Sequence, residues 1–126
     1  MTRINVVPVE ELHYKHLVAE YREITRPFAK VRSRQQKGQK PRDIKAPSDY
    51  VLGTGHETFF FTRLQYLVDR YESLVAEMRR RGYTANPVPV ESLTNGIDKQ
   101  WMGTYSPSPE ALRLNRVRIK QRLEEM

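Results

Sequence analysis

Hydrophobic positions along the chain fall into three helical stripes separated by long polar connections. Leu17, Tyr21, Ile24, Phe28 and Val31 follow one another at intervals of 4, 3, 4 and 3 residues. That is the repeat of one helix face, and it predicts a helix from about His13 to Gln36. Pro27 lies inside this helix. Its missing N–H leaves the carbonyl of Glu23 without the usual partner, so a kink or loosened turn is expected at Glu23. Upstream, Pro8 with Glu10, Glu11 and Leu12 suggests a short turn. A second stripe, Phe60, Leu64, Leu67, Tyr71, Leu74 and Met78, follows the Gly53-Thr54-Gly55-His56 turn and should stop at Gly82. The third helix is announced by its start: Ser108 as N-cap, Pro109 in the first turn and Glu110 behind it, with the helix running through Ile119 to Leu123.

No stretch alternates polar and apolar residues over a useful length, so strands are not expected and the fold class is all-α. Two connections, residues 38–57 and 84–107, are longer than a compact helical bundle needs, and ordered loops of that length commonly carry function. The reading is one compact domain, residues 1–126, of three main helices with long ordered loops.

Composition narrows the chemistry. The 126 residues include no cysteine, which removes disulfides, thiolate catalysis and sulfur-bound zinc. No apolar run is long enough to span a membrane and no secretory signal is visible, so a cytoplasmic location is expected. The net charge is +7, from 22 Lys+Arg against 15 Asp+Glu. Between Arg22 and Lys45 stand nine basic residues and two acids, Glu23 and Asp43, so this stretch alone equals the excess of the whole chain. Arg22, Arg26, Arg32, Arg42 and Lys45 within it are candidate phosphate contacts for a polyanion such as DNA. A solvated basic face is the alternative reading. Arg79, Arg80 and Arg81 at the end of the second helix suit capping of a helix dipole.

No nucleotide-binding glycine loop, nucleophile elbow or metalloprotease motif is present. His13, His16 and Glu20 share one helix face and form a candidate metal trio, with ordinary hydrogen bonding as the alternative. Glu23 is the sole acid from Arg22 to Arg42. It either neutralises Arg22 and Arg26, an i, i+4 pair, or performs chemistry on the bound polyanion. Thr2 has a small side chain, which favours removal of Met1 and exposes an α-amine of ordinary pKa about 7.7–8.0. Such an amine is substantially neutral near pH 7 and forms imines readily. An ordinary frayed terminus is the competing reading.

Several ordered matches change this balance: Met1-Thr2-Arg3-Ile4-Asn5, His16-Leu17, Ala19-Glu20-Tyr21-Arg22-Glu23, Arg26, Val31-Arg32, Arg42-Asp43, Leu52-Gly53, Gly55-His56, Thr58-Phe59-Phe60 and Arg81-Gly82. In these residues the chain resembles the pyrimidine-dimer DNA glycosylase/AP lyase family over residues 1–83, and again more weakly from Tyr105. The resemblance implies a three-helix fold with an N-terminal segment threaded between helices, which brings the Thr2 amine beside Glu23. It further implies that a nucleotide is flipped from the duplex, that the Thr2 amine attacks the sugar C1′ to form an imine, and that Glu23 stabilises the cationic intermediate and assists β-elimination. Arg3, Arg22 and Arg26, with His16, Arg118 and Arg122, match positions that contact DNA or the active site. The implied partner is double-stranded DNA carrying a lesion, handled by a monomer without metal or other cofactor. Position 15 departs from the best-known member of the family in being Lys rather than Gln. That member's aromatic–basic tail has no counterpart before the sequence ends at Met126, which leaves Trp101 and Tyr105 as candidates for stacking, against a core role for Trp101.

Overall fold

A computed structural model describes residues 2–126 and is all-helical among them. The helices are α1 (Tyr14–Glu23), α2 (Arg26–Gln36), α3 (Leu64–Arg80), α4 (Val90–Thr94) and α5 (Pro109–Glu124), with short 3-10 turns between them. None of these helices is long and apolar enough to cross a membrane.

The first predicted helix is two helices. α1 ends at Glu23 and α2 starts at Arg26, with Pro27 in its first turn, where a missing N–H costs nothing. Ile24 and Thr25 between the two helices keep right-handed helical dihedrals, so the chain makes the kink or loosened turn expected there. The apolar stripe survives it, because Leu17, Ile24, Phe28 and Val31 are all buried in one core. Arg22 lies in the last turn of α1 and Arg26 opens α2, on the two sides of this turn.

The second stripe also divides. Phe59, Phe60 and Phe61 are all fully buried, and one helix face cannot take three consecutive rings. The chain turns through them as a 3-10 segment, Thr58–Phe60, and α3 proper opens at Leu64. At its far end Tyr83 N–H reaches Met78 O and Gly82 N–H reaches Arg79 O, with Gly82 at φ +86°. This is a Schellman ending, which needs a residue tolerant of positive φ. Arg80 and Arg81 both bond Glu77, and Arg79 bonds Ala85 O, so the three arginines close the end of α3.

The connection 84–107 is more ordered than expected. It contains α4 and a turn, Lys99–Trp101, that seals Trp101 completely in the core, so Trp101 is no stacking platform. Tyr105 packs on Phe59 and Tyr66 and donates its hydroxyl to Asp49. α5 begins as read, with Ser108 Oγ accepting from Ala111 N–H.

The element that organises the site is not a helix. Residues 2–7 thread through the protein without regular secondary structure, with Ile4, Val6 and Val7 in the core and polar groups from elsewhere in the chain holding the backbone. Asn115 on α5 accepts from both Val6 and Val7 N–H at 2.7 and 3.1 Å and donates to Asn5. Arg70 on α3 donates to Val7 O. Asn5 donates to Glu20 on α1. Buried backbone groups must find partners, and side chains of three helices, with others from the loop before α3, supply them here. The threading that the resemblance implied is thus present.

Candidate active site

The threaded segment delivers its first residues to the C-terminal end of α1. Glu23, the last residue of that helix, accepts the Arg3 N–H at 2.8 Å through Oε1. Consecutive backbone nitrogens are about 3–4 Å apart, so the Thr2 nitrogen lies within roughly 7 Å of that oxygen. Thr2 is 6% exposed, and its hydroxyl is buried without a hydrogen-bond partner. Met1, whose removal the sequence reading requires, lies outside the described residues.

Two clefts flank the segment. One, of about 260 Å³, is lined by Thr2, Tyr50, His56, Asn115, Arg118 and Arg122 among others. The smaller, about 80 Å³, holds His16, Glu20 and Glu23, and Arg3, Asn5, Arg118 and Arg122 border both. The guanidinium groups share one electrostatic field. Burial and the neighbouring Arg122 push Arg3 below its ordinary value, Glu23 pulls it back up, and Arg118 lowers it further. Three arginines around one carboxylate make a positive site able to receive phosphate or a developing anion.

Behind Glu23 sits a buried ion pair. Arg70 grips Glu20 with Nε at 2.7 Å and Nη2 at 3.1 Å, and the two side chains are only 7% and 1% exposed. Burial opposes the charge on Arg70, but Glu20 outweighs it and Arg70 is held above its ordinary value. The metal trio read from the sequence is not assembled. Both oxygens of Glu20 accept from Arg70 and one also from Asn5, His13 caps α1 by accepting from Lys15 N–H, and no group of three His, Asp or Glu among the described residues is placed to hold an ion.

Two histidines stand at the segment. His16 is pushed below 6.5 by burial and by the charges of His13, Arg3 and Arg122. His56 is also lowered, mainly by burial, against opposing contributions from Val51, Glu57 and Glu20, while Arg3 adds to the fall. The unfolded chain therefore takes up protons before the folded one does. The stabilisation is complete above about pH 6.5 and is lost as pH drops through the folded values. Thermal melts should show a level Tm between pH 7 and 8 and a decline from pH 6.5 to 5, before the carboxylates titrate. A flat profile to pH 5 contradicts this.

The remaining predicted residues are distributed unevenly. Arg22 and Arg26 are exposed at the α1–α2 turn, and Arg42 and Lys45 are exposed beyond α2. Arg32 is half-buried, and its Nε donates to Asn95 O at 2.8 Å and Nη2 to Leu93 O at 2.6 Å, so it also satisfies carbonyls at the end of α4. Sequence reading missed Tyr50 and Asn115 and gave Arg70 no role. For Arg70 a signal existed, since a charged side chain three residues after Leu67 falls on the apolar face of α3. Glu20 has the same relation to Leu17.

The fold and site together define an all-helical protein that threads the segment from Thr2 past a carboxylate bordered by three arginines, an arrangement suited to chemistry on a polyanion. The family model for pyrimidine dimer DNA glycosylases matches residues 1–88, and the chain belongs to that family. It is accordingly an enzyme of DNA repair, a glycosylase acting on DNA at pyrimidine dimers. The match takes in the threaded segment, Glu23 and α3, whereas Asn115, Arg118 and Arg122 come from α5 beyond it.

Proposed function

We propose that the protein is a bifunctional glycosylase and abasic-site lyase whose nucleophile is the α-amine of Thr2 after loss of Met1. The observation that carries this reading is the 2.8 Å hydrogen bond from Arg3 N–H to Glu23 Oε1, which supports it by keeping the preceding backbone nitrogen, that of Thr2, within roughly 7 Å of a carboxylate. The neutral amine donates its lone pair to C1′ of the damaged nucleotide as the glycosidic bond breaks, and the bonding pair leaves with the base, which takes up a proton. Glu23 stabilises the cationic sugar; the resulting aminal loses an amine proton, its C1′–O4′ bond opens as the nitrogen lone pair forms C1′=N and O4′ takes up a proton, and Glu23 then stabilises the iminium. It next accepts the C2′ proton. The C2′–H pair becomes the C2′–C3′ double bond, the 3′ phosphate departs, and water later releases the enzyme from the imine.

Arg3, His16, Arg118 and Arg122 border the reacting centre in this reading, and Arg22, Arg26, Arg42 and Lys45 contact phosphates of the duplex. The target nucleotide leaves the stack to reach the amine. Cleavage of matched duplexes carrying a cyclobutane dimer, an abasic site, another damaged base or no lesion tests the proposal. Nicking of both the dimer and the abasic duplex, with a β-elimination end and in the presence of chelator, is expected. Base release without nicking would leave a glycosylase and remove the lyase. Preference for the other damaged base would keep the mechanism and change the substrate.

A further inference from the structure

Glu23 alone does not fix the segment that carries Thr2. The residue after Arg3 is held on both of its backbone groups by the loop that precedes α3. Ile4 N–H points at His56 Nε2 at 2.9 Å, and the Tyr50 hydroxyl donates to Ile4 O at 2.8 Å. An amide can only donate, so Nε2 must accept, and the ring proton must be on Nδ1. Nδ1 lies 2.8 Å from Val51 O and donates to it. One neutral tautomer satisfies both bonds. The ring cannot easily move away, since it is buried and packed edge-on against Tyr50 and Phe60 at 5.3 and 6.0 Å. It also lines the larger cleft beside Thr2.

We infer that His56 is a positioning residue for the reaction: through its Nε2 it holds Ile4, and with it the Thr2 amine, at the distance and angle from which the amine attacks. The inference rests on Thr2 being the nucleophile. Both ring nitrogens of His56 are engaged within the protein, Nε2 by Ile4 N–H and Nδ1 by Val51 O. Its effect is geometric, and a displacement of about 1 Å at a reacting group costs on the order of 100-fold in rate. Tyr50 supports the same residue from the other side, so the loop closes a clamp on Ile4.

Two polar replacements separate clamping from general stability. In His56→Asn the side chain reaches only as far as Nδ1, so the donor to Val51 O is kept and the acceptor for Ile4 is lost. In His56→Gln the side chain extends to the position of Nε2, and its carbonyl oxygen can accept from Ile4 N–H. The measurements are the single-turnover rate of borohydride-trapped adduct at saturating lesion DNA, the Kd for that DNA, and hydrogen exchange at the Ile4 amide. His56→Asn should lower the trapping rate by about 10- to 100-fold, leave Kd within about threefold and expose Ile4 to exchange. His56→Gln should recover most of the rate and the protection. Trapping in His56→Asn at the wild-type rate overturns the inference, and so does an equal loss in both variants that tracks Kd and Tm. Should neither fold, Tyr50→Phe removes only the hydroxyl on Ile4 O. A several-fold slower rate at unchanged Kd then supports the clamp, and an unchanged rate overturns it. Wild-type enzyme is trapped first: an adduct at Thr2 there, with no effect of the variants, refutes His56 alone, whereas no adduct at Thr2 refutes the proposed mechanism as well.

Discussion

Glu23→Gln is expected to abolish strand cleavage while binding to lesion DNA is kept or tightened. The substitution is nearly isosteric, and the amide oxygen can still accept the Arg3 N–H that Oε1 accepts at 2.8 Å, so the threaded segment should stay in place. What disappears is the charge. Without it the cationic sugar and the iminium lose their counter-charge, and the C2′ proton loses its acceptor. Such groups contribute roughly 100- to 10,000-fold each in rate. Binding moves in the opposite direction, because a negative charge leaves a surface that faces phosphates and is bordered by Arg3, Arg118 and Arg122. Single-turnover cleavage and Kd measured on the same duplex check both halves. If Glu23 only neutralised nearby arginines, cleavage would fall little, and a variant within about tenfold of wild type would remove it from the chemistry.

The second large effect concerns the platform behind the site. Glu20→Ala leaves the Arg70 guanidinium buried without its counter-ion and also strips Asn5 of its acceptor. Breaking a buried pair from one side costs about 3–5 kcal/mol, a large part of the 5–15 kcal/mol typical of a small protein. Replacing the two partners together, Glu20→Leu with Arg70→Met, removes both charges and should cost clearly less than the single change. Urea denaturation of wild type, the single variant and the double variant measures this. A single-variant loss below about 1 kcal/mol would mean that the pair bears little of the load assigned to it.

The parts of the fold that rest on periodicity were readable in the sequence. Leu17 to Val31 and Leu64 to Met78 do form buried faces, and Ser108-Pro109 does start a helix. Pro27 signalled a disturbance at Glu23, but a proline can kink a helix or begin a new one, and only packing decides between them. Five residues of α4 are too few to show a repeat. The site was less readable because it is made by pairs far apart in the chain. Glu20 and Arg70 each stand out as charges on apolar faces, yet nothing local says that they meet. Asn115 is one asparagine between alternating apolar and basic residues until α5 places it against the amides of Val6 and Val7. Residue types alone likewise left Thr2 and Glu23 as separate candidates, and it was the family resemblance that joined them. The structure adds the tether between them, through Arg3.

The central claim is that the start of the chain is the nucleophile, and one measurement reaches it directly. The enzyme, first shown by intact mass to lack Met1, is incubated with dimer-containing duplex and borohydride, and the adduct is digested and mapped by mass spectrometry. The account predicts a single DNA-linked peptide that begins at Thr2, with the added mass on its α-amine. An adduct on a lysine side chain, or efficient cleavage with no adduct at all, contradicts it.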